Sequence, residues 1–486
     1  MVWSTPVCLG QGQLDEIARR GVPVPAYDRR KLTPRIVHIG VGGFHRAHLA
    51  AYADELASGG GDWGIVGLGL LEQDAAMAAA LAAQDHLYTL IEKGDGERSV
   101  AVIGSIVGYV HAPPGHDVPV RDLVAAPTTA ILSMTITEAG YAEPTPQQIA
   151  SGAGATFDRL ATALAARRER GGGPLTILSC DNLPGNGDAA RHATLAATER
   201  ADPALTAWTR DNCTFPNSMV DRITPVTDDA DRAWLLETTG IEDQWPVVAE
   251  PFRQWVMQDD FAGGRPAWDA VGALFTDRIH DWELYKLRLL NAGHSCIAYL
   301  SALAGIAFVD EAMATPVIRT FLEDVLRCEA MPTLAEIPGH PREQYISSVL
   351  ERFANTGMRD QIARLCVDGS AKFPKFLMPT VACQVERNGP VGRAATALAG
   401  WARYLATVDP REQAFDSSGE VARRHAAEAV GDPLTFLDFD AVFPAAVRAS
   451  ERFRAAFAGA YRRIADHGPI AAMQADLARE PTGEAR

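Results

Sequence analysis

The sequence predicts an α/β fold: a nucleotide-binding N-terminal domain over residues 1–280 and a mostly α-helical C-terminal domain over residues 281–486. Three observations carry that prediction. Residues 35–39, RIVHI, form a short β-branched run that stops at Gly40, and helical composition starts at Arg46. Apolar runs at 63–71, 130–137 and 174–180 are continuous rather than alternating, as in parallel strands covered on both faces. Beyond residue 280 the β-rich runs cease and nearly every segment has helical spacing.

A hydrophobic content of 47% with 22% charged residues describes a globular chain able to bury large cores. A net charge of −16 and a pI near 5.2 argue against nucleic-acid or anionic-membrane partners, whose phosphates would repel such a surface. No apolar run approaches the ~20 residues of a membrane helix. The N-terminus has no basic region followed by an apolar core, so a cytoplasmic protein is expected. Seven cysteines are scattered without a CxxC pair, which fits reduced thiols and gives no zinc framework. His45 and His48, in HRAH, lack the acidic neighbour and third ligand of a zinc helix. A helix after a glycine turn, with a surface histidine and no metal, is the expectation.

Residues 1–34 read as an N-terminal arm, and 35–57 as strand, glycine turn and helix. Gly40 and Gly42 permit a tight turn and close approach of the backbone to a pyrophosphate at the helix N-terminus, although His45 replaces the third glycine of GxGxxG. Arg46, in the first helical turn, is a candidate phosphate ligand; its alternative is a solvated surface arginine. The second strand ends in Glu72, Gln73 and Asp74. An acidic side chain there accepts hydrogen bonds from the adenosine ribose and repels a 2′-phosphate, so Asp74 favours NAD over NADP. Asp74 is equally well placed to cap the Ala-rich helix 75–83. After β-rich runs at 86–92 and 100–110, the buried strand 130–137 ends at Glu138, Gly140 and Tyr141. Strand 174–180 runs into DNLPGNG, where Asn182 comes directly off a buried strand; Asn182 and Asn186 also suit a plain turn. Residues 215–225 carry Asp221 and Arg222 inside an apolar stretch, where charges need partners or a solvent-filled cleft.

Residues 281–300, DWELYKLRLLNAGHSCIAYL, set Lys286, Asn291 and His294 in an otherwise apolar helical run. At roughly 100° per residue their directions fall within roughly 140° of arc, so all three can look into one cavity. Lysine, asparagine and histidine on one wall suit proton transfer and carbonyl polarisation. They point to an alcohol/ketone redox site served by a nicotinamide cofactor from the preceding domain. The alternative is a helix whose polar residues cover an interdomain seam. Glu283, one turn before Lys286, either relays its proton to water or forms an i,i+3 ion pair. Residues 364–376, RLCVDGSAKFPKF, interrupt the helices and carry Arg364, Lys372 and Lys375 near the expected cleft rim.

These segments resemble a known family. IGVGGFHRAHLAAY (39–52), SMTITEAGY (133–141), SCDNLPGNG (179–187), FPNSMVDRITP (215–225), EPFRQWV (250–256), the spacing of Lys286, Asn291 and His294, and DGSAKFPKF (368–376) are similar to the polyol-specific long-chain dehydrogenases of the mannitol 2-dehydrogenase type. The resemblance implies a Rossmann-type N-terminal domain, a helical C-terminal domain, no metal, and NAD(H) in the crevice between the domains. It implies Lys286 as general base, Asn182 and Asn291 holding the reacting oxygen, and His294 contacting the polyol. Asp221, Arg364 and Lys372 match positions near nicotinamide or substrate. The motif segments add Gly43, Phe44, Thr135 and Glu138 to Gly40, Gly42, Arg46 and Asp74 as expected cofactor contacts. Where family members can carry two acidic residues after the second strand, this chain has Gln73 beside Asp74.

The chemistry follows from the residue types. A free lysine has a pKa of about 10.4, so a base near neutrality needs burial and a nearby cationic nicotinamide to disfavour its ammonium form. Two amides aimed at a developing alkoxide form an oxyanion hole of side chains. The expected activity is NAD-dependent, metal-independent interconversion of a neutral polyol and its ketose, by a monomer or small homo-oligomer. A uronate reductase is the alternative, because Arg364 and Lys372 supply charge for a carboxylate; D-arabinitol or sorbitol oxidation stands further back. A catalytically dead sugar- or nucleotide-responsive binding protein is the reading from a different class.

Overall fold

A computed structural model describes residues 5–143, 145 and 156–479. The chain divides into two compact units, Met1–His280 and Asp281–Arg486.

The first unit is built on six parallel strands: β1 (Pro34–Ile39), β2 (Gly64–Gly69), β3 (Ile106–His111), β4 (Ile131–Met134), β5 (Leu175–Ser179) and β6 (Cys213–Thr214). They lie in the order β3-β2-β1-β4-β5-β6. That is the order of a doubly wound dinucleotide-binding sheet, in which the winding reverses between β1 and β4 and ligands bind at the carboxyl ends of the strands there. Successive residues of each strand enter opposite cores. Ile36, Ile131 and Leu178 pack on the face that Leu49, Ala53 and Leu56 cover, and Val37, Leu132 and Ile177 on the face that Leu160 and Leu164 cover.

Two segments, 100–110 and the helix expected from Arg46, differ from what the sequence predicts. The run 100–110 is two strands in two sheets. Arg98–Ile103 pairs antiparallel with Tyr88–Lys93, while β3 joins the parallel sheet. The buried Arg29 causes the break: its Nε donates to the Gly104 carbonyl at 2.7 Å and its Nη2 to the Ile106 carbonyl at 2.8 Å. Residues 215–225 contribute Ser218–Asp221, which pairs antiparallel with Gln254–Met257 in a separate three-stranded sheet. The helix expected from Arg46 starts at Gly43 and is interrupted at His48 (φ −116°, ψ −91°), giving Gly43–Ala47 and Leu49–Ser58.

The second unit is helical. A rod of Ile279–Tyr285, Lys286–Asn291 and Ala292–Leu303 opens it, and its middle section is π-helix. Helix Gly392–Thr407 packs so closely on this rod that a Cβ on Gly400 would sit 2.7 Å from Leu300 Cδ2. Residues 364–376 are less irregular than expected. Gly369–Phe376 is a helix that tolerates Pro374, and Met378–Glu386 is a further helix behind it. Among the described residues, no helix is long and apolar enough to cross a membrane.

Candidate active site

The glycine turn after β1 is shaped from behind. Gly40 has φ +84°, and a Cβ there would lie 2.3 Å from the Thr135 carbonyl oxygen, so only glycine fits. Thr135 Oγ1 donates to the Gly40 carbonyl at 2.7 Å. Having given its one proton there, that hydroxyl accepts from His38 Nε2 (3.1 Å), and His38 Nδ1 in turn accepts from Ser133 Oγ (2.8 Å). Burial pushes His38 down to about 3, so the imidazole stays neutral and the relay stays in this one arrangement. Thr135 thus fixes the turn from behind. Gly42 is different: around a Cβ there the nearest atom is the Gly40 carbonyl oxygen at 3.8 Å, so its backbone borders open space. Gly43 sits on Thr224 and Val247, and Phe44 stacks on His48.

The expectations of a surface histidine and of a phosphate-binding or solvated Arg46 change. His45 and His48 are buried, with His45 stacked on His38 at 3.5 Å between ring centroids. Arg46 is neither a surface group nor aimed at a phosphate. It is 3% exposed, its guanidinium donates to the Trp245 carbonyl, and it lies over the Tyr88 ring. The helix Gly43–Ala47 is only five residues long, so it offers little helix dipole at this turn.

Asp74 sits at the carboxyl end of β2, half-exposed, where a Cβ on Gly69 would meet its own Cβ at 2.7 Å. It does not cap the helix Ala75–Ala83; its carboxylate turns back to accept from the Leu71 N–H at 2.9 Å. The glycine cradle and an acidic side chain at this strand end suit a dinucleotide with a free ribose 2′-hydroxyl.

Beyond β4 the organising group is Asp181, which the sequence reading passed over. Its buried carboxylate accepts from the Ile136 N–H (3.1 Å), the Thr137 N–H (2.7 Å) and Tyr141 Oη (2.6 Å). This holds the loop that carries Thr135 and Glu138; Glu138 itself is exposed in a 3-10 turn. Asn182 follows directly and is exposed, whereas Asn186 is buried, its amide donating to the Asp181 and Ser218 carbonyls. Asp221 is buried at the end of its strand, opposite Gln254. Arg222 is a buried structural group, ion-paired with Glu92 and donating to the Glu250 carbonyl. The available signal for Asp181 was its place, a carboxylate at the mouth of a buried strand.

In the second unit, Lys286 is 8% exposed and Glu283, one turn earlier, 7%. The π section changes the geometry assumed for them. It takes one residue more than an α turn, so eight steps from Lys286 to His294 behave as seven. The three directions of Lys286, Asn291 and His294 then fall within roughly 60° of arc rather than roughly 140°. Ser295 Oγ donates to the Asn291 carbonyl at 3.1 Å where the α register resumes. Tyr285 Oη donates to the Ala335 carbonyl (3.0 Å) and Arg288 to Thr333, pinning the bulge from outside.

His294 stacks flat on Phe353, with centroids 3.9 Å apart. Burial, reinforced by Arg364, Arg352 and Lys372, keeps its imidazole neutral. Arg364 forms a two-pronged ion pair with Asp360 through Nε (2.6 Å) and Nη2. Lys372 donates to the Leu365 carbonyl at 3.2 Å, and burial lowers its pKa. Among the described residues, no group of three or more His, Cys, Asp and Glu side chains is arranged to hold a metal.

A doubly wound dinucleotide sheet followed by a helical unit with a buried lysine defines a scaffold class. Residues 34–270 match the family model of the mannitol dehydrogenase Rossmann domain, and residues 278–465 that of the mannitol dehydrogenase C-terminal domain. The chain belongs to the mannitol dehydrogenase family. It is 40% identical to the mannitol 2-dehydrogenase of Phaeosphaeria nodorum, over 93% of this chain and 83% of that one. Its fold is similar to that of Pseudomonas fluorescens mannitol 2-dehydrogenase in ternary complex with NAD and D-mannitol (TM-score 0.85, 37% identity, 98% and 100% of the two chains). It is likewise similar to a substrate-free D-sorbitol dehydrogenase (TM-score 0.87, 32% identity, 96% and 100%).

Proposed function

We propose that the chain is an NAD-dependent polyol dehydrogenase that interconverts D-mannitol and D-fructose, or a close polyol/ketose pair, without a metal. The observation that carries this is the buried Lys286 in a π turn that aligns it with Asn291 and His294. The relatives named above support the substrate class and the cofactor. NAD, when bound, supplies the hydride acceptor at nicotinamide C4. The Gly40–Gly43 turn would hold its pyrophosphate and Asp74 its adenosine ribose, with Phe44 and Glu138 beside them.

In the oxidative direction Lys286 takes the hydroxyl proton as the carbinol hydride leaves, and the C–O bond becomes a carbonyl. In reduction the lysine ammonium returns that proton. The amides of Asn291 and Asn182 donate to the oxygen while it carries negative charge. Neutral His294 contacts a polyol hydroxyl. Glu283 passes the proton between Lys286 and water, and Asp221 and Lys372 orient the chain of hydroxyls.

A uronate reductase would need an arginine fork for the substrate carboxylate. Arg364 has its fork on Asp360, which favours a neutral substrate; its part is to hold positive potential beside His294. The test is Lys286→Ala. Fructose reduction by NADH is expected to fall by about 10²–10⁴-fold with NADH affinity unchanged. Wild-type-like turnover would overturn the assignment.

A further inference from the structure

The last helix, Glu451–Leu477, is a hairpin rather than one rod. Arg463 Nη2 donates to Asp476 Oδ1 at 2.8 Å, 13 residues on, whereas a continuous helix would hold those positions about 20 Å apart. The chain turns back at Gly468 (φ 81°, ψ 170°), just before Pro469. The two arms and the start of helix Gly392–Thr407 line an open pocket of about 280 Å³.

Its lining is cationic in a chain of net charge −16: Arg393, Arg452, Arg463 and Arg479 against the single acidic lining residue Asp476. Two of the four are compensated, Arg463 by Asp476 and Arg393 by Asp324 at 2.7 Å. Among the described residues the other two form no side-chain ion pair, although Arg479 shares the field of Asp476. Arg452 donates to the carbonyls of Gly389 and Gln384, which leave its charge in place. Arg393 is 5% exposed, and its Nε–H has no acceptor; the Arg463 Nε–H is in the same position. The helix end contributes little, because Glu329 already accepts the Arg393 and Ala394 N–H groups at 2.8 and 2.9 Å. Ala455 and Ala456 leave space where larger side chains would fill the pocket.

Four arginines lining one pocket, from the hairpin, its C-terminal end and the neighbouring helix, match the several oxygens of a phosphoryl group. The volume far exceeds one ion, since a water molecule takes about 30 Å³. We propose that this pocket binds a small phosphorylated metabolite through its phosphoryl group. The site shares no residue with the lysine helix, so it does not depend on the activity proposed above.

Isothermal titration of the full chain with a hexose monophosphate tests it, with inorganic phosphate and the neutral hexose as comparison ligands. Saturable binding at one site is expected, with phosphate weaker and the neutral hexose not competing. Arg452→Gln and Arg479→Gln are each expected to weaken binding by about tenfold or more, one charge-assisted contact apiece, while Lys286→Ala leaves it unchanged. Arg479 is exposed, so its variant reports on binding even where Arg452→Gln disturbs the hairpin. No saturable binding, phosphate binding as tightly as the hexose monophosphate, or indifference to Arg479→Gln overturns the proposal.

Discussion

Gly40→Ala probes the link between the turn and the cofactor. A Cβ at Gly40 would lie 2.3 Å from the Thr135 carbonyl oxygen, on a backbone with φ +84°. Left-handed backbone costs a residue with a Cβ about 1–2 kcal/mol. Relieving the contact means moving Thr135 away, which strains its Oγ1 bond to the Gly40 carbonyl and its N–H bond to the Ile39 carbonyl. At about 1 kcal/mol per hydrogen bond, that adds about 2 kcal/mol. The sum of about 3 kcal/mol corresponds to a fall in Tm of about 6 °C for a domain of this size. If NADH needs the undistorted turn, its affinity falls by about 100-fold. Gly42→Ala is the paired variant: with φ −104° and no protein atom nearer than 3.8 Å, it should leave Tm unchanged and still weaken NADH, because its Cβ enters the open space over the turn. Circular dichroism melts and NADH fluorescence titrations read both quantities. A Gly40→Ala protein with native Tm and NADH affinity within about threefold would refute the reasoning.

Three further outcomes are expected. Burial pushes Glu329 up from 4.5 to about 7, so the folded protein holds that proton more tightly than the unfolded one. Stability should therefore fall by about 3 kcal/mol as pH rises from 4.5 to 7; Glu329→Gln should flatten that part of the urea-unfolding profile, and an unchanged slope would count against it. Asp181→Ala strips the acceptor from Ile136, Thr137 and Tyr141 and should cost about 2–4 kcal/mol in urea unfolding, with NADH affinity reduced. Deleting Leu287 should return the π turn to α-helix at a cost of a few degrees in Tm, whereas deleting the buried Ala298 rotates all that follows by roughly 100° and should prevent folding.

What the sequence made legible was local chemistry. The strands β2, β4 and β5 stood out because both faces are covered, which leaves a nearly continuous apolar run. The glycine turn was legible because a positive φ leaves a residue-type signature. The break inside 100–110 was not, because its cause is Arg29, 75 residues away from Gly104 in the chain. Arg46 misled for a similar reason: its place in the first turn suggested a phosphate, but Trp245 and Tyr88 enclose its guanidinium. Asp181 escaped notice because a carboxylate that accepts from two backbone N–H groups and a tyrosine has no spacing motif.

The lysine helix shows how residue types and geometry divide the information. Lysine, asparagine and histidine in an apolar run can be recognised from composition, but their mutual direction depends on the helix type between them. On an unbroken α-helix, Lys286 and His294 point about 80° apart; with one residue absorbed by the π turn, they point about 20° apart. Nothing in KLRLLN announces that turn. It is held by contacts from residues 333–335, through Arg288 and Tyr285, and by Ser295 closing on the Asn291 carbonyl. A π turn gives up regular hydrogen bonding, so it persists only where surrounding packing favours it. That the distortion lies between the lysine and its two polar neighbours is the strongest structural reason to read the three as one working group rather than as polar cover for a seam.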